Sequence, residues 1–575
     1  MAIIERAVKL GAVAAASTYQ ERFEPDICLA GQVNRELLQQ ILLQNRDTEY
    51  GQRYRFDRIA TPESFPESFK EAVPLTTYED YLPYIDRIAA GQDNILTAEP
   101  VRYFGLTSGT TGQQKMIPMT ELAGNLIAEH MSLLSRGICD AVPASRRSSR
   151  GLNIMNMITA GATEGGIPTG AGSLGGLTSI RRIVDNLWTS PPEVLEVSNQ
   201  WDANYLHLLF ALRERDLMYI YSPFSSAVVD LFRLLEREWP QLVHDLANGR
   251  ISNGESLDLK TRARLEGKLG RHPERAEELA AEFRLGFQGI ARRIWPQLLY
   301  VSCVTGGSFS IYTQRLHHYI DGLPLYAGMY GATEAVVGIS LWPGEATYVV
   351  TPRTAYHEFI PLNQVGENRP QAFDLDQLVK GQSYEVVVTN CAGFYRYRLG
   401  DIVKVVDHYY ESPVIEFLYR RGQLISLVGE KTSEEAFSTT VYGLMQQWGT
   451  DLVDFTTRVD YEVYPCRYIF YVESGHPYQN RERQGETLLE DVLCQTSPRY
   501  HSSRQAKRLG QSALRLVQPG TFEKMKKMLI ARGASANEVK IPRVIRDEEL
   551  AALLTANTIH AARDALCTVQ DGICQ

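Results

Sequence analysis

The stretch Thr107-Ser-Gly-Thr-Thr-Gly-Gln-Gln-Lys115 follows an apolar, strand-like run over residues 101–106. Small hydroxyl residues and glycines can wrap backbone N–H groups and hydroxyls around a polyphosphate, and the lysine adds charge. The spacing is not that of a Walker A loop, since Lys115 stands three residues after Gly112. The plain alternative is a Gly/Ser/Thr turn between two elements. A second candidate, Tyr330-Gly-Ala-Thr-Glu334, comes after a strand expected at residues 325–328. Glu334 offers the carboxylate oxygen that Mg2+ prefers. Thr333 can bond a phosphate, and Tyr330 can lie against an adenine face. A short turn into a helix, with Thr as cap and Glu in the first turn, would look the same. The third candidate is Tyr395-Arg-Tyr-Arg-Leu-Gly-Asp401, before a strand expected at residues 402–406. A carboxylate beside a glycine at a strand edge can accept both ribose hydroxyls, as acidic residues do in dinucleotide sites. An ion pair of Asp401 with Arg396 or Arg398 is the alternative there. Taken alone, the first favours phosphate binding, the second favours a bland turn and the third is even. They stand about 220 and 70 residues apart, and together they offer groups for the phosphates, metal ion and ribose of a nucleotide.

Such residues need a scaffold. At 575 residues the chain exceeds one ordinary core, so two or more domains are expected. It is 44% hydrophobic and 22% charged, without repeats, as a globular protein is. A net charge of −9 argues against a nucleic-acid partner, which calls for a basic face. No run reaches the ~18–20 apolar residues of a membrane helix. An apolar run over residues 10–16 follows Lys9, but it is at the short limit for a signal peptide and Glu5 sits among the basic residues. An N-terminal helix is the expectation there. Eight cysteines without a Cys-x-x-Cys pair fit reduced thiols in a cytoplasm. The histidines show no metal spacing.

Helical patterning dominates residues 30–75, and short apolar runs then alternate with helices to about residue 425. Strands are expected at residues 151–159, 298–304, 384–389, 402–406 and 414–418. The charge-rich stretch 252–282 reads as solvated helices. After residue 430 the pattern restarts: helix 434–447, strand 461–473, helix 485–496, a short run at 513–517 and helix 521–531. The fold class is α/β, with a large N-terminal domain of several subdomains over residues 1–425 and a small α+β C-terminal domain over residues 426–575. Gly422 and Gly429 supply backbone freedom at the boundary.

The ordered motifs at 107–115, 330–334 and 395–401 resemble those of the superfamily of acyl-CoA synthetases, nonribosomal adenylation domains and firefly luciferase. More narrowly, the chain resembles the Gretchen Hagen three family, the auxin-responsive acyl acid amido synthetases. That likeness runs through Asn45-Arg-Asp-Thr-Glu-Tyr-Gly51, Val73-Pro-Leu-Thr-Thr-Tyr78, Val304-Thr-Gly-Gly307 and Lys431-Thr-Ser-Glu-Glu435. It continues through Pro519-Gly-Thr-Phe522 and Gly533-Ala-Ser-Ala-Asn-Glu-Val-Lys-Ile-Pro-Arg543, and covers about residues 35–545.

The resemblance implies an ATP- and Mg2+-dependent ligase. It would convert a carboxylic acid to acyl-AMP, release pyrophosphate, and pass the acyl group to an amine, expected to be an amino acid. It implies that Thr107, Ser108, Thr110 and Thr111 cradle the phosphates, and that Thr305, Gly306 and Gly307 lie by the nucleotide and acyl group. Tyr330 and Thr333 fall at the nucleotide, Glu334 near Mg2+, and Asp401 and Arg421 at the ribose. Lys540, on a mobile C-terminal domain, would reach the α-phosphate and acyl carboxylate. Leu122, Leu126 and Met131 either line the acyl pocket or simply pack in the core. The family usually has paired serines at 107–108 and a serine at 333, and this chain keeps the hydroxyl in both places. Glu538-Val539 replaces the Gln-Tyr of plant members. The alternatives are an acyl-CoA synthetase with a thiol acceptor, or a non-catalytic relative that binds nucleotide or acyl group. The expected setting is a cytoplasmic monomer acting on small molecules, with no membrane partner.

Overall fold

The computed structural model describes residues 21–60, 65–107, 115–126, 133, 150–155, 159–171, 188–254, 256–305, 310–421, 432, 434–460, 463, 465–476, 482–506, 509–532, 534, 539–545 and 547–559. The N-terminal run at residues 10–16 lies outside them. The chain divides into one unit of residues 1–421 with 535–538 and a second of residues 422–534 with 539–575.

Two hydrophobic clusters dominate the first unit. One surrounds a four-stranded sheet ordered Leu152–Asn153, Tyr219–Phe224, Tyr300–Val304, Leu325–Tyr326, with every neighbouring pair parallel. Parallel neighbours require crossovers, and helices provide them. The longest helix, Ser225–Asn248, buries Val228, Phe232, Leu235, Leu242 and Leu246, then stops at Gly249 in the left-handed region (φ 64°). The charge-rich stretch does form helices, Leu259–Leu269 and Pro273–Arg284. They are not merely solvated: Leu265, Leu269, Ala276, Leu279 and Phe283 join this core. Charge density on the outer face hid the apolar positions at helical spacing.

The second cluster packs N-terminal helices against a seven-stranded sheet. Its order is Tyr356–Pro361, Ser383–Thr389, Tyr397–Tyr409, Ser412–Arg420, Thr347–Val350, Val336–Ile339, Met329–Gly331, antiparallel throughout. The helix Tyr78–Ala89 starts where the Asp80 carboxylate accepts from the Thr77 N–H at 2.8 Å, and it buries Tyr78, Tyr81, Ile85 and Ile88. Ahead of it, Thr76 bridges in parallel to Tyr397: the Thr76 N–H donates to the Arg396 carbonyl, and the Arg398 N–H to the Thr76 carbonyl, both at 2.9 Å. The buried Arg396, itself at φ 48°, pairs with Glu358 at 2.9 Å and donates to the Val73 carbonyl. A third sheet contains Met116–Met119, Tyr103–Leu106, Pro168–Ala171 and Thr159–Ala162.

In the second unit, Leu452–Asp460, Arg467–Ser474 and Ala513–Leu516 form a sheet with helices Glu434–Trp448 and Glu482–Thr496. Sequence patterning misses Leu452–Asp460, whose buried Asp454, Thr456 and Thr457 break the apolar alternation, and it begins the next strand six residues early. Helices Thr521–Ala531 and Glu548–Ala556 close a small core around Phe522, Met525, Ile541 and Leu554. Among the described residues no helix is long and apolar enough to cross a membrane.

Candidate active site

Residues 103–106 and 116–119 pair as antiparallel strands, with Leu106 opposite Met116. The Thr107 N–H donates to the Lys115 carbonyl at 3.1 Å, and the Lys115 N–H to the Thr107 hydroxyl at 3.2 Å. The intervening loop is thus closed at its base; Ser108, Thr110 and Thr111 lie outside the described residues. The Lys115 ammonium stands 5.1 Å from the centre of the Tyr78 ring and 3.5 Å from the Tyr397 hydroxyl. Thr305 follows the strand Tyr300–Val304 and is half-buried, while Gly306 and Gly307 are outside the described residues.

The segment 330–334 is a β-hairpin, not a turn into a helix. Met329–Gly331 pairs with Val336–Ile339, and Ala332 and Ala335 exchange backbone hydrogen bonds at 2.8 and 3.3 Å. Thr333 and Glu334 form the two-residue tip. Glu334 is only 9% exposed despite that position. Its carbonyl accepts from Asn390 Nδ2 at 2.7 Å, and its Oε1 accepts from the Tyr397 hydroxyl at 3.2 Å. Burial, reinforced by the Glu334 carboxylate, pushes the Tyr397 phenol well above its ordinary pKa. Beside the tip, Thr333, Glu334 and Asn390 make the polar side of a cavity whose apolar side includes Met119, Ala123 and Leu126. Leu122 and Leu126 pack half-buried against the core; Met131 is outside the described residues.

Asp401 lies in the strand Tyr397–Tyr409, directly opposite Arg420 across the Tyr397–Tyr409/Ser412–Arg420 hairpin. Arg420 clasps it with two bonds, Nε to Oδ1 at 2.5 Å and Nη2 to Oδ2 at 3.0 Å, and the Tyr330 hydroxyl donates to Oδ2 at 2.8 Å. The Tyr330 ring is buried beside Tyr348 and Phe417, with the hydroxyl its link to the site. Neither Arg396 nor Arg398 pairs with Asp401: they take Glu358 and Glu385. Arg421 also pairs with Glu385, at 3.0 Å. Gly400, at φ 77°, turns the chain just before Asp401.

In the second unit, Lys540 is half-buried in a segment stitched to the strand Leu452–Asp460. Arg543 Nη1 donates to Asp454 Oδ1 at 2.5 Å and to the Phe455 carbonyl at 2.6 Å, with its guanidinium 4.5 Å from the Phe455 ring centre. The Thr457 N–H donates to the Arg543 carbonyl, and the Ile545 N–H to the Thr457 carbonyl. Burial pushes the Glu434 carboxyl up to about 7, against the opposing pull of Arg543 and Lys540.

Three motifs distant in sequence therefore meet around one strand: Tyr397 touches Lys115 and Glu334, and four residues on Asp401 binds Tyr330. Sequence reading passes over Tyr397, Asn390, Arg420 and Glu434. Tyr397 lies inside a quoted motif, whereas the match of Arg420 to Asp401 depends on a cross-strand register that no local pattern carries.

The chain matches the GH3 family N-terminal domain over residues 19–325, the central domain over 348–420 and the C-terminal domain over 435–549. It is 30% identical to the 4-substituted benzoates-glutamate ligase GH3.12 of Arabidopsis thaliana over 548 residues, spanning 89% of this chain and 92% of that protein. It is 28% identical to the indole-3-acetic acid-amido synthetase GH3.4 of the same plant over 567 residues, 92% of each. Among solved structures, that of the GH3.15 acyl acid amido synthetase superposes with a TM-score of 0.84 at 27% identity, covering 94% of this chain and 96% of that one. With all three domains matched in order and a full-length relative at this identity, the chain belongs to the GH3 family.

Proposed function

We propose that the chain activates a carboxylic acid with ATP as acyl-AMP, then transfers the acyl group to an amine, an amino acid above all. It is a ligase joining acid to amine, as relatives named for amido synthesis are. The observation that carries the adenylate step is the convergence of Lys115, Glu334 and Asp401 around the strand Tyr397–Tyr409. Asp401 would accept a ribose hydroxyl: a carboxylate has about four lone-pair positions, and Arg420 and Tyr330 leave Oδ1 with room. Thr107, Ser108, Thr110, Thr111 and Thr333 would surround the phosphates, Thr305, Gly306 and Gly307 would lie by the nucleotide and acyl group, and Arg421 near the ribose. Among the described residues only Tyr397 donates to the Glu334 carboxylate, on Oε1. The remaining oxygen fits Mg2+, which takes one or two carboxylates besides substrate phosphates. When bound, Mg2+ would neutralise phosphate charge.

In this reading the acid's carboxylate attacks the α-phosphorus and pyrophosphate leaves. Charge grows on the non-bridging oxygens, where the Lys540 ammonium would stabilise it. The C-terminal unit then carries Lys540 away, a neutral amine attacks the acyl carbon, and AMP leaves. The test is carboxylate-dependent exchange of labelled pyrophosphate into ATP across a panel of acids. Hydroxylamine trapping of the acyl-AMP, followed by mass spectrometry, identifies the acid. An enzyme that binds ATP yet supports no exchange with any acid, or that yields ADP and phosphate, would overturn adenylation.

A further inference from the structure

We propose that Tyr397 is a positioning residue that keeps the lysine of the phosphate loop and the carboxylate of the acidic hairpin apart, each free to face the nucleotide. The inference rests on the adenylation reading above. Tyr397 is 2% exposed. Its ring is fixed by stacking on Phe394, 4.7 Å between centres and 26° between planes, and by a tilted contact with Tyr81. Its hydroxyl stands between two opposite charges, 3.5 Å from Lys115 Nζ and 3.2 Å from Glu334 Oε1.

A phenol has one proton to give and lone pairs to receive with. An ammonium can only donate and a carboxylate oxygen accepts, so the bonds run one way, Lys115 to Tyr397 to Glu334. The phenol stays protonated across the working range, because burial and the neighbouring carboxylate both oppose its ionisation. Without that oxygen, the half-buried lysine and the buried glutamate that flank it would be left to close into an ion pair, since a buried carboxylate seeks a partner. Such a pair would spend both charges on each other. With the phenol between them, each charge gives up one bond, to a neutral group. The ammonium keeps its other N–H donors and the carboxylate keeps Oε2. Two further restraints act on the same geometry. Lys115 is held over the Tyr78 ring, whose hydroxyl accepts the Met116 N–H at 2.8 Å. Glu334 is held through its carbonyl by Asn390, whose Oδ1 accepts the Ala392 and Phe394 N–H groups at 3.0 Å.

Tyr397→Phe removes the one oxygen and keeps the ring, so it tests the hydroxyl alone. The expected result is a loss of about ten- to a hundredfold in kcat/KM for ATP in pyrophosphate exchange, the range for a hydrogen bond to a charged group. Calorimetric affinity for a non-hydrolysable ATP analogue with Mg2+ should fall in the same direction. The decisive measurement is repetition in a Lys115→Gln background. There no ion pair can form, so Tyr397→Phe should cost under about threefold, a strongly non-additive cycle. Equal losses in the two backgrounds, or a lowered melting temperature with unchanged analogue affinity, would overturn the proposal and leave Tyr397 a structural residue. If Tyr397→Phe does not fold, the Lys115→Gln/Tyr397→Phe double variant is compared with Lys115→Gln alone; an additional large loss there overturns the proposal. Wild-type protein that binds no analogue and exchanges no pyrophosphate would fell the adenylation reading and Tyr397's role with it. Wild type that does both while Tyr397→Phe matches it removes only the proposal.

Discussion

Glu434 is a carboxyl held near neutrality by its surroundings. Burial raises it from the ordinary 4.5 to about 7, and the charges of Arg543 and Lys540 reduce that rise without cancelling it. The folded chain therefore binds more protons at this group than the unfolded chain does between those two values. Stability contributed there falls as pH rises through the same window. Glu434→Gln, neutral at every pH, should melt above wild type at pH 8 and close to it at pH 5. A melting difference that does not change with pH would mean that Glu434 is not a raised group. The carboxylates of the first unit's candidate site illustrate what a sequence reveals of single residues. Asp401 and Glu334 stand out because small and polar neighbours surround them in short motifs. Their partners do not, since Arg420 reaches Asp401 through the pairing of two strands and Asn390 reaches Glu334 across 56 residues.

At the scale of elements, the segment carrying Lys540 combines a tethered end with a reactive side chain. Lys540 follows a run of small and polar residues, Gly533-Ala-Ser-Ala-Asn537; of residues 533–538 only Ala534 is described, but residues 539–545 are tied to the strand Leu452–Asp460. Ile541, Arg543 and Ile545 are buried and supply that anchorage. Lys540→Ala leaves them in place and should change stability by only about 0.5 kcal/mol. If the proposed role is right, it should slow pyrophosphate exchange about 10²–10³-fold, as loss of one preorganised charge does. Amide formation from supplied acyl-AMP should suffer far less. Equal losses in the two half-reactions would rule Lys540 out as the adenylation lysine. The hairpin tip at 333–334 was legible as a loop but not as a hairpin. Its flanking strands, Met329–Gly331 and Val336–Ile339, are three and four residues long, too short to show an alternating pattern, and they pair with each other at the end of the sheet, where Val336–Ile339 also pairs with Thr347–Val350.

For the whole molecule, the acceptor is the open chemical question. The C-terminal match motivates an amine, and preformed acyl-AMP offered with amino acids or with CoA would separate the classes. Amides are expected; clear preference for the thiol would overturn that expectation. The division into α/β and α+β parts is legible because hydrophobic periodicity is local. The packing of N-terminal helices onto strands three hundred residues later is not, because nothing local records it. That packing has a consequence for synthesis. The Thr76 and Tyr81 hydroxyls both donate to the Tyr395 carbonyl, 319 and 314 residues onward, and Arg396 locks Val73 to the same strand. A ribosome adding about 5–20 residues per second needs roughly 15–60 s to cover that span. Throughout it, Tyr81, Ile85 and Ile88 have left the exit tunnel without the sheet that will cover them. That apolar face therefore lacks its native cover until the site strand, among the last parts of its unit, has been made.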